Sequence, residues 1–263
     1  MRTRDLEDEA ARLFRFRPAP WGEVLWCAVL GGTADHGFTD RALPLGRTDG
    51  GDRQSWRRLA DAAGVEPDHL VRLRQVHAAE CVVVGDETRM GEPSEGDIIL
   101  TSSRRHAVLV QAADCVPILI ADPGTRAVAA VHAGWRGMAA RAPLVAVDAL
   151  AKHFGADPGA LVAAVGPSIG PCCYEVGAEL REVFEAAGHQ PAVLDRWFIR
   201  DGNGRVVLDL WLAARSLLEA AGVPPDRIYA CGLCTAARNS RFPSYRIEGP
   251  AAGRLAAWIR PRA

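Results

Sequence analysis

The sequence predicts an α+β fold, and three observations carry that reading. Short runs of branched and small apolar residues crowd the chain between residues 73 and 131. Helical periodicity is concentrated after Gly137, and the two patterns do not alternate in the regular order that a doubly wound sheet requires. The 263 residues are enough to bury roughly 70–75% of the unfolded surface. No internal repeat or low-complexity linker divides them, so residues 1–263 read as one domain.

Val24-Leu25-Trp26-Cys27-Ala28-Val29-Leu30 reads as a buried strand ended by Gly31-Gly32. From Asp52 to Ala63 a helix places Trp56, Leu59, Ala60 and Ala63 on one face, with Gly64 as its stop. Six strands are expected next, at Leu73–Val76, Cys81–Val84, Ile98–Leu100, Ala107–Gln111, Val116–Ile120 and Ala127–Val131, punctuated by Pro93, Gly96, Pro123 and Gly124. After Gly137 a helix presents Leu144, Val147, Leu150 and Phe154, with Pro143 in its first turn or at a kink and Gly155 behind it. Leu161–Val165 is a short strand. Leu180, Val183, Phe184 and Ala187 mark a helix closed by Gly188, and Asp209 caps a third that carries Leu210, Ala214, Leu217 and Ala221.

The totals exclude several classes. Thirty-one Lys and Arg balance 32 Asp and Glu, so no electrostatic footprint for nucleic acid or an acidic membrane exists. No window approaches ~18 uninterrupted apolar residues, and the charged MRTRDLEDEAARLFRF start lacks the apolar segment that secretion requires. Seven cysteines at irregular spacing in a chain of this size point to reduced thiols and a cytoplasmic location.

Three places offer metal ligands beside turn residues: Gln75-Val76-His77, Ala113-Asp114-Cys115 and Val131-His132. Two imidazoles and a thiolate would leave a tetrahedral zinc one open position, the catalytic arrangement. The alternative reading makes the histidines strand caps and Cys115 a small buried hydrophobe. In VHAGWRG, Gly134 and Gly137 permit close approach, and Gly137 stands where a helix could begin, so Arg136 and local amides could receive an anion. Asp114 is assigned a supporting role, because on a regular strand it faces away from its neighbour Cys115. Cys231-Gly232-Leu233-Cys234 lacks the second pair of a zinc ribbon. The adjacent Cys172 and Cys173 are poorly placed to chelate one ion together and read as packing after the Gly170-Pro171 turn. Seven histidines without a His-x-His pair are too few for a multicopper cluster, which needs about ten (ligand preferences argued from).

Four stretches taken together, GDIILTSSRRHAVLVQAADCVPILIAD, AVAAVHAGWRG, VGPSIGPCCYEVG and CTAARNSRFPSYRIEGPAAGRLAAWI, resemble the YfiH-type family, once labelled multicopper polyphenol oxidases and now described as zinc-dependent purine nucleoside phosphorylases. The resemblance runs from about residue 75 to 259. It implies a two-layer mixed sheet core flanked by helices, an α/β/β/α sandwich. It also implies one Zn2+ held by His77, Cys115 and His132, with inorganic phosphate as co-substrate. The implied activity is phosphorolysis of adenosine, inosine, guanosine and methylthioadenosine, together with adenosine deamination. Four places depart from the family pattern: Ala78 stands where Gly is usual, Ser55-Trp56-Arg57-Arg58 replaces an Asn-Arg pair, Pro243 replaces an aromatic, and Ile247 replaces the second of two arginines.

The implied chemistry gives each residue a role. A metal in this set would lower the pKa of bound water toward ~7 for attack on C6 of adenine. Phosphate would attack the ribose C1′ with Arg136 or Arg246 offsetting its charge, and Tyr245 could stack on the purine. Two rivals remain: a metal-free hydrolase on an amide or peptide-like substrate, with Cys115 as a nucleophile activated by His132 or His77, and a non-catalytic zinc-stabilised binding module.

Overall fold

The computed structural model describes residues 12–46, 53–88, 93–200, 202 and 204–262. Two six-stranded sheets form its centre. One runs in the order β1 (Phe14–Ala19), β2 (Gly22–Cys27), β3 (Ala34–Phe38), β14 (Leu255–Pro261), β7 (Ala107–Ala112), β4 (Leu70–Arg72). The other runs β13 (Ile228–Ala230), β10 (Val162–Val165), β8 (Val116–Ala121), β9 (Val128–Ala133), β6 (Ile98–Thr101), β5 (Cys81–Val84). A separate ribbon pairs β11 (Phe198–Arg200) with β12 (Val206–Leu208). Both sheets are mixed: β4 is parallel to β7, β5 to β6 and β10 to β13, while the pairings of β14 with β7 and of β8 with β9 are antiparallel.

Strand periodicity divides the side chains into layers. In β7, Val108 and Val110 point inward to meet Leu119, Val128 and Ala130 of the facing sheet. The alternate residues Ala107 and Leu109 point outward onto helix α1 (Arg53–Ala63), against Leu59, Ala60 and Ala63. In β8 and β9, Ile118, Ile120, Ala129 and Val131 face the opposite way, onto α3 (Ala142–Phe154) and α6 (Leu210–Ala220) through Val147, Leu150, Ala214 and Leu217. Helix, sheet, sheet, helix is therefore the layer order, as expected for this fold class. Strands covered on both faces need apolar residues at every position, which is why β6 to β9 read as continuous runs rather than alternating ones.

Several boundaries differ from the sequence reading. The strand expected over 24–30 ends at Cys27, and Leu30 instead opens a 3-10 turn through Gly32. The strand expected at Leu73–Val76 lies three residues earlier, at Leu70–Arg72, which leaves Gln75, Val76 and His77 in a loop. The helix expected after Gly137 is two helices, α2 (Trp135–Ala139) and α3, separated by Arg141 in a left-handed conformation (φ 58°), with Pro143 in the first turn of α3. Helix α4 (Glu179–Ala186) buries Phe184 but leaves Val183 exposed. Asp209 caps α6 as expected, its carboxylate accepting from Leu212 N at 2.9 Å. Strands β1, β3 and β11 to β14, and helices α5 (Pro191–Trp197) and α7 (Tyr245–Glu248), were not anticipated. Most are short, and β1 sits in a charged stretch because Phe14 alone of its six residues is buried. Asp52, the expected start of α1, lies outside the described residues.

Candidate metal centre and its cavity

A cavity of about 520 Å³ opens at the end of the second sheet where β8 begins and β9 finishes, and His77, Cys115, His132, Arg136, Tyr245 and Arg246 all line it. Sites for drug-sized molecules span roughly 300–1,000 Å³. The antiparallel register pairs Val116 with Ala133 and Pro117 with His132, so Cys115 stands beside His132 across the strand pair, opposite Gly134. His77 arrives from the loop after β4, in a left-handed conformation (φ 62°) that non-glycine residues seldom adopt.

The ligand atoms of His77, Cys115 and His132 all lie within 4.8 Å of one another, and the two imidazoles meet edge to face with ring centroids 4.9 Å apart. Donors at 2.0–2.3 Å from one tetrahedral ion would stand roughly 3.3–3.8 Å apart, so closing on an ion takes small side-chain movements. His77 is exposed, Cys115 half-buried and His132 buried, so the trio forms a cup open to the cavity. Burial pushes the Cys115 thiol up, but the charge and hydrogen bonding of His132 and then His77 outweigh it and bring it down to about 6. Burial likewise lowers His132, yet Cys115 and the Asp97 carboxylate together raise it to about 9. The pair is polarised toward thiolate and imidazolium, the form that a divalent cation replaces when it takes the protons' place.

Asp97 assembles the cup. Its buried carboxylate accepts from the His132 ring at Nδ1 (2.8 Å) and from the backbone N–H groups of Val76 (3.2 Å), His77 (3.0 Å) and Ala78 (2.7 Å), while its carbonyl accepts from His132 N at 2.8 Å. A carboxylate on one imidazole nitrogen directs the other toward a metal and raises its basicity. Burial alone would raise the Asp97 pKa; the His132 hydrogen bond and the amide donors of Ala78 and His77 outweigh it and hold the carboxyl low. Gln75 secures the same loop from below, its amide exchanging two bonds with the Gln111 backbone at 2.7 and 2.8 Å.

Asp114 takes the supporting role expected of it, although for a different reason. It does not lie on a regular strand but sits at φ 84° in the bend before β8. From there its carboxylate accepts from Thr235 Oγ1 and from Arg246 N, both at 2.6 Å. Arg246 is thereby docked at the cavity rim, and its guanidinium donates to the carbonyl of Glu175 at 3.0 Å. Arg136 instead lies over the Trp135 ring (4.0 Å) and makes no ion pair among the described residues. Helix α2 starts at Trp135, so Gly137 falls inside it rather than at its start.

The departures from the family pattern divide in two. Ala78 contributes only its amide to Asp97, and the left-handed residue in that loop is His77, so glycine is not required at 78. Residues 55–58 lie on α1 and do not line the cavity. Pro243 is buried and Ile247 is 58% exposed near the rim formed by Tyr245. Asp97, Gln75, Trp135, Tyr174 and Arg254 were missed from the sequence although they build or line the site. Asp97 stood in the conspicuous GDIIL stretch, but its partners are 20 and 35 residues away.

Gly134 leaves space that the site needs. A Cβ there would stand 2.6 Å from Cys115 Sγ and 3.7 Å from His77 Cδ2. Gly134→Ala is expected to displace the thiol while leaving the sheet intact. Metal analysis should show affinity reduced about 10-fold or more, with the circular dichroism spectrum unchanged; wild-type metal content would count against the crowding argument.

The geometry has counterparts among known proteins. The family model described as multi-copper polyphenol oxidoreductase laccase matches residues 38–262. A Streptomyces coelicolor protein named purine nucleoside phosphorylase is 35% identical over 240 residues, covering 86% of this chain and 95% of that protein. A protein from an unknown prokaryotic organism, named adenosine deaminase, is 34% identical over 204 residues, covering 74% of this chain and 76% of its own. YlmD from Geobacillus stearothermophilus superposes with a TM-score of 0.84 at 29% identity, covering 94% of this chain and 99% of that one. The chain spans 44% of the length of the mouse and human relatives it matches. With sequence, layer order and matched span in agreement, the chain belongs to the YfiH-type family, whose sequence model carries the laccase description.

Proposed function

We propose that this chain is a zinc-dependent purine nucleoside phosphorylase that also deaminates adenosine, with His77, Cys115 and His132 as the ligands of one Zn2+. The observation that carries the reading is the convergence of these three donors at a cavity of about 520 Å³ that also receives Arg136. The donor set fits the ion: one sulfur and two nitrogens, one of them tied to a buried carboxylate, are zinc's preferred company. Zinc bound there would supply Lewis acidity beside a coordination position that three protein ligands leave open.

The protein's own groups set up the reaction. In phosphorolysis a phosphate oxygen bonds to the ribose C1′ while the bond from C1′ to the purine nitrogen breaks, and the base departs with that electron pair. In this reading Arg136, which lines the cavity, offsets the phosphate charge, whereas Arg246 already donates to the Glu175 carbonyl. Tyr245, half exposed at the rim, offers its ring face to the purine. Trp135, Ile169 and Leu210 supply apolar wall that limits water around the reacting centre. In deamination water adds at C6 of adenine and ammonia leaves. The substrates in this reading are adenosine, inosine, guanosine and methylthioadenosine. The reading takes residues 1–263 as one domain in the cytoplasm, in keeping with seven cysteines that are all free.

The polarised Cys115–His132 pair favours a second reading, a hydrolase with Cys115 as nucleophile on an amide or peptide-like substrate. One experiment separates the two. The purified chain is assayed for zinc, then incubated with adenosine and phosphate and resolved by chromatography. Adenine with ribose 1-phosphate, and inosine, are expected in proportion to enzyme, and both the products and the zinc should disappear in Cys115→Ser. A zinc-loaded protein that leaves every purine nucleoside intact refutes the first reading. Amide hydrolysis that survives chelation and is titrated by a thiol reagent establishes the second.

A further inference from the structure

A second group of potential ligands lies outside the His77, Cys115 and His132 cup. Gly170 to Cys173 fold into a tight turn, with Cys173 N and Tyr174 N both donating to the Gly170 carbonyl at 3.0 and 3.1 Å. On a regular strand neighbouring side chains point to opposite faces; this turn brings the two sulfurs of Cys172 and Cys173 to 3.6 Å. Cys234 completes the group from the segment after β13, and all three sulfurs lie within 4.8 Å of one another. The turn therefore overrides the separation expected for adjacent residues. The Cys231–Cys234 spacing has no bearing on the group, because Cys231 faces the core between the two sheets.

The surroundings suit a soft cation. Cys234 Sγ accepts from the backbone N–H groups of Gly170 at 3.2 Å and Ala237 at 3.4 Å, which fix the sulfur in place at the base of the group. Cys234 is buried, Cys173 half-buried and Cys172 exposed, which gives the group a floor and an entrance. No histidine or carboxylate belongs to the set, and thiolates without oxygen donors select thiophilic ions over magnesium or calcium. We propose that Cys172, Cys173 and Cys234 form a second metal site, for a thiophilic d10 ion of the Cu(I), Zn(II) and Cd(II) class.

Such an ion would cross-link two segments that shape the cavity. Cys173 precedes Tyr174, which lines the cavity, and its carbonyl accepts from Arg246 Nη1 at 3.4 Å. Cys234 precedes Thr235, whose hydroxyl holds Asp114. The site would be structural, fixing one wall from behind, and its existence does not depend on what reaction the cavity performs.

Cd(II) is the probe, titrated into the reduced, metal-free full-length chain while sulfur-to-metal charge-transfer absorbance is followed. Wild type is expected to saturate at about two equivalents; Cys115→Ser at about one, keeping roughly three quarters of the absorbance; and Cys172→Ser/Cys173→Ser at about one, keeping roughly one quarter. The double variant changes exposed and half-buried positions, and its circular dichroism spectrum checks that it folds. A double variant that titrates like wild type overturns the proposal. So does Cys115→Ser protein that takes up no Cd(II), or a second equivalent that a small excess of glutathione removes.

Discussion

On the proposed function, Asp97→Ala protein is expected to lose zinc binding and phosphorolysis together, and to be less stable by about 3–5 kcal/mol, the usual range when one partner of a buried charged pair is removed. Four donors converge on that carboxylate, three of them backbone amides of consecutive residues and the fourth the His132 ring. Without it the amides of Val76, His77 and Ala78 lose their shared acceptor, only the Gln75 bonds to Gln111 still tether the His77 loop, and His132 loses the contact that orients its ring. Asp97→Asn separates the two effects. One amide oxygen can accept for some of the amides, but the NH2 group opposes the remaining donors, and the charge that favours an imidazolium or a metal-bound ring is gone. The Asp97→Asn protein should therefore fold better than the Asp97→Ala protein while binding metal about 10- to 100-fold more weakly than wild type. Urea unfolding and metal competition measure the two quantities, and an Asp97→Asn variant with wild-type metal affinity would show that the carboxylate acts on the loop alone.

Acid is expected to destabilise the fold by about 3 kcal/mol through His36 alone. Burial is the main cause of its pKa falling from 6.5 to about 4, and Arg17 and Arg262 add to it, while the carbonyl of Ala34 works the other way. The hydrogen bonds explain why the neutral ring is kept. Nδ1 donates to the Ala34 carbonyl at 3.1 Å and Nε2 accepts from Cys27 N at 3.0 Å, so a second ring proton would face an N–H already pointing at it. Above pH 6.5 the ring is neutral in both states and its titration contributes nothing. As pH falls from 6.5 to about 4 the unfolded chain takes up the proton and the native ring refuses it, so stability is lost across that window. Chemical denaturation of wild type and His36→Gln at several pH values isolates this share from the carboxylates, since only wild type should show the extra loss. Parallel curves for the two proteins would refute the assignment.

The sequence by itself determined much of the interior and, through motif resemblance, the composition of the cup. β6 to β9 were legible because strands sandwiched between two layers must be apolar throughout, a local pattern that survives in one dimension. α1 and α6 were legible from helical spacing and, for α6, the cap at Asp209. His77, Cys115 and His132 stood beside turns at strand boundaries, where side chains can meet a cavity, but separations of 38 and 17 residues gave no geometric reason to join them. Only the tertiary structure decided that they meet, because the β8–β9 register sets Cys115 beside His132 and the Asp97 carboxylate draws the His77 loop onto the end of β9. The same holds for Asp97 itself, for Arg246 being committed to backbone carbonyls while Arg136 is not, and for three thiols gathered from two distant turns. Local propensity is written in neighbouring residues, whereas a polar site depends on long-range pairing whose partners leave no periodic trace along the chain.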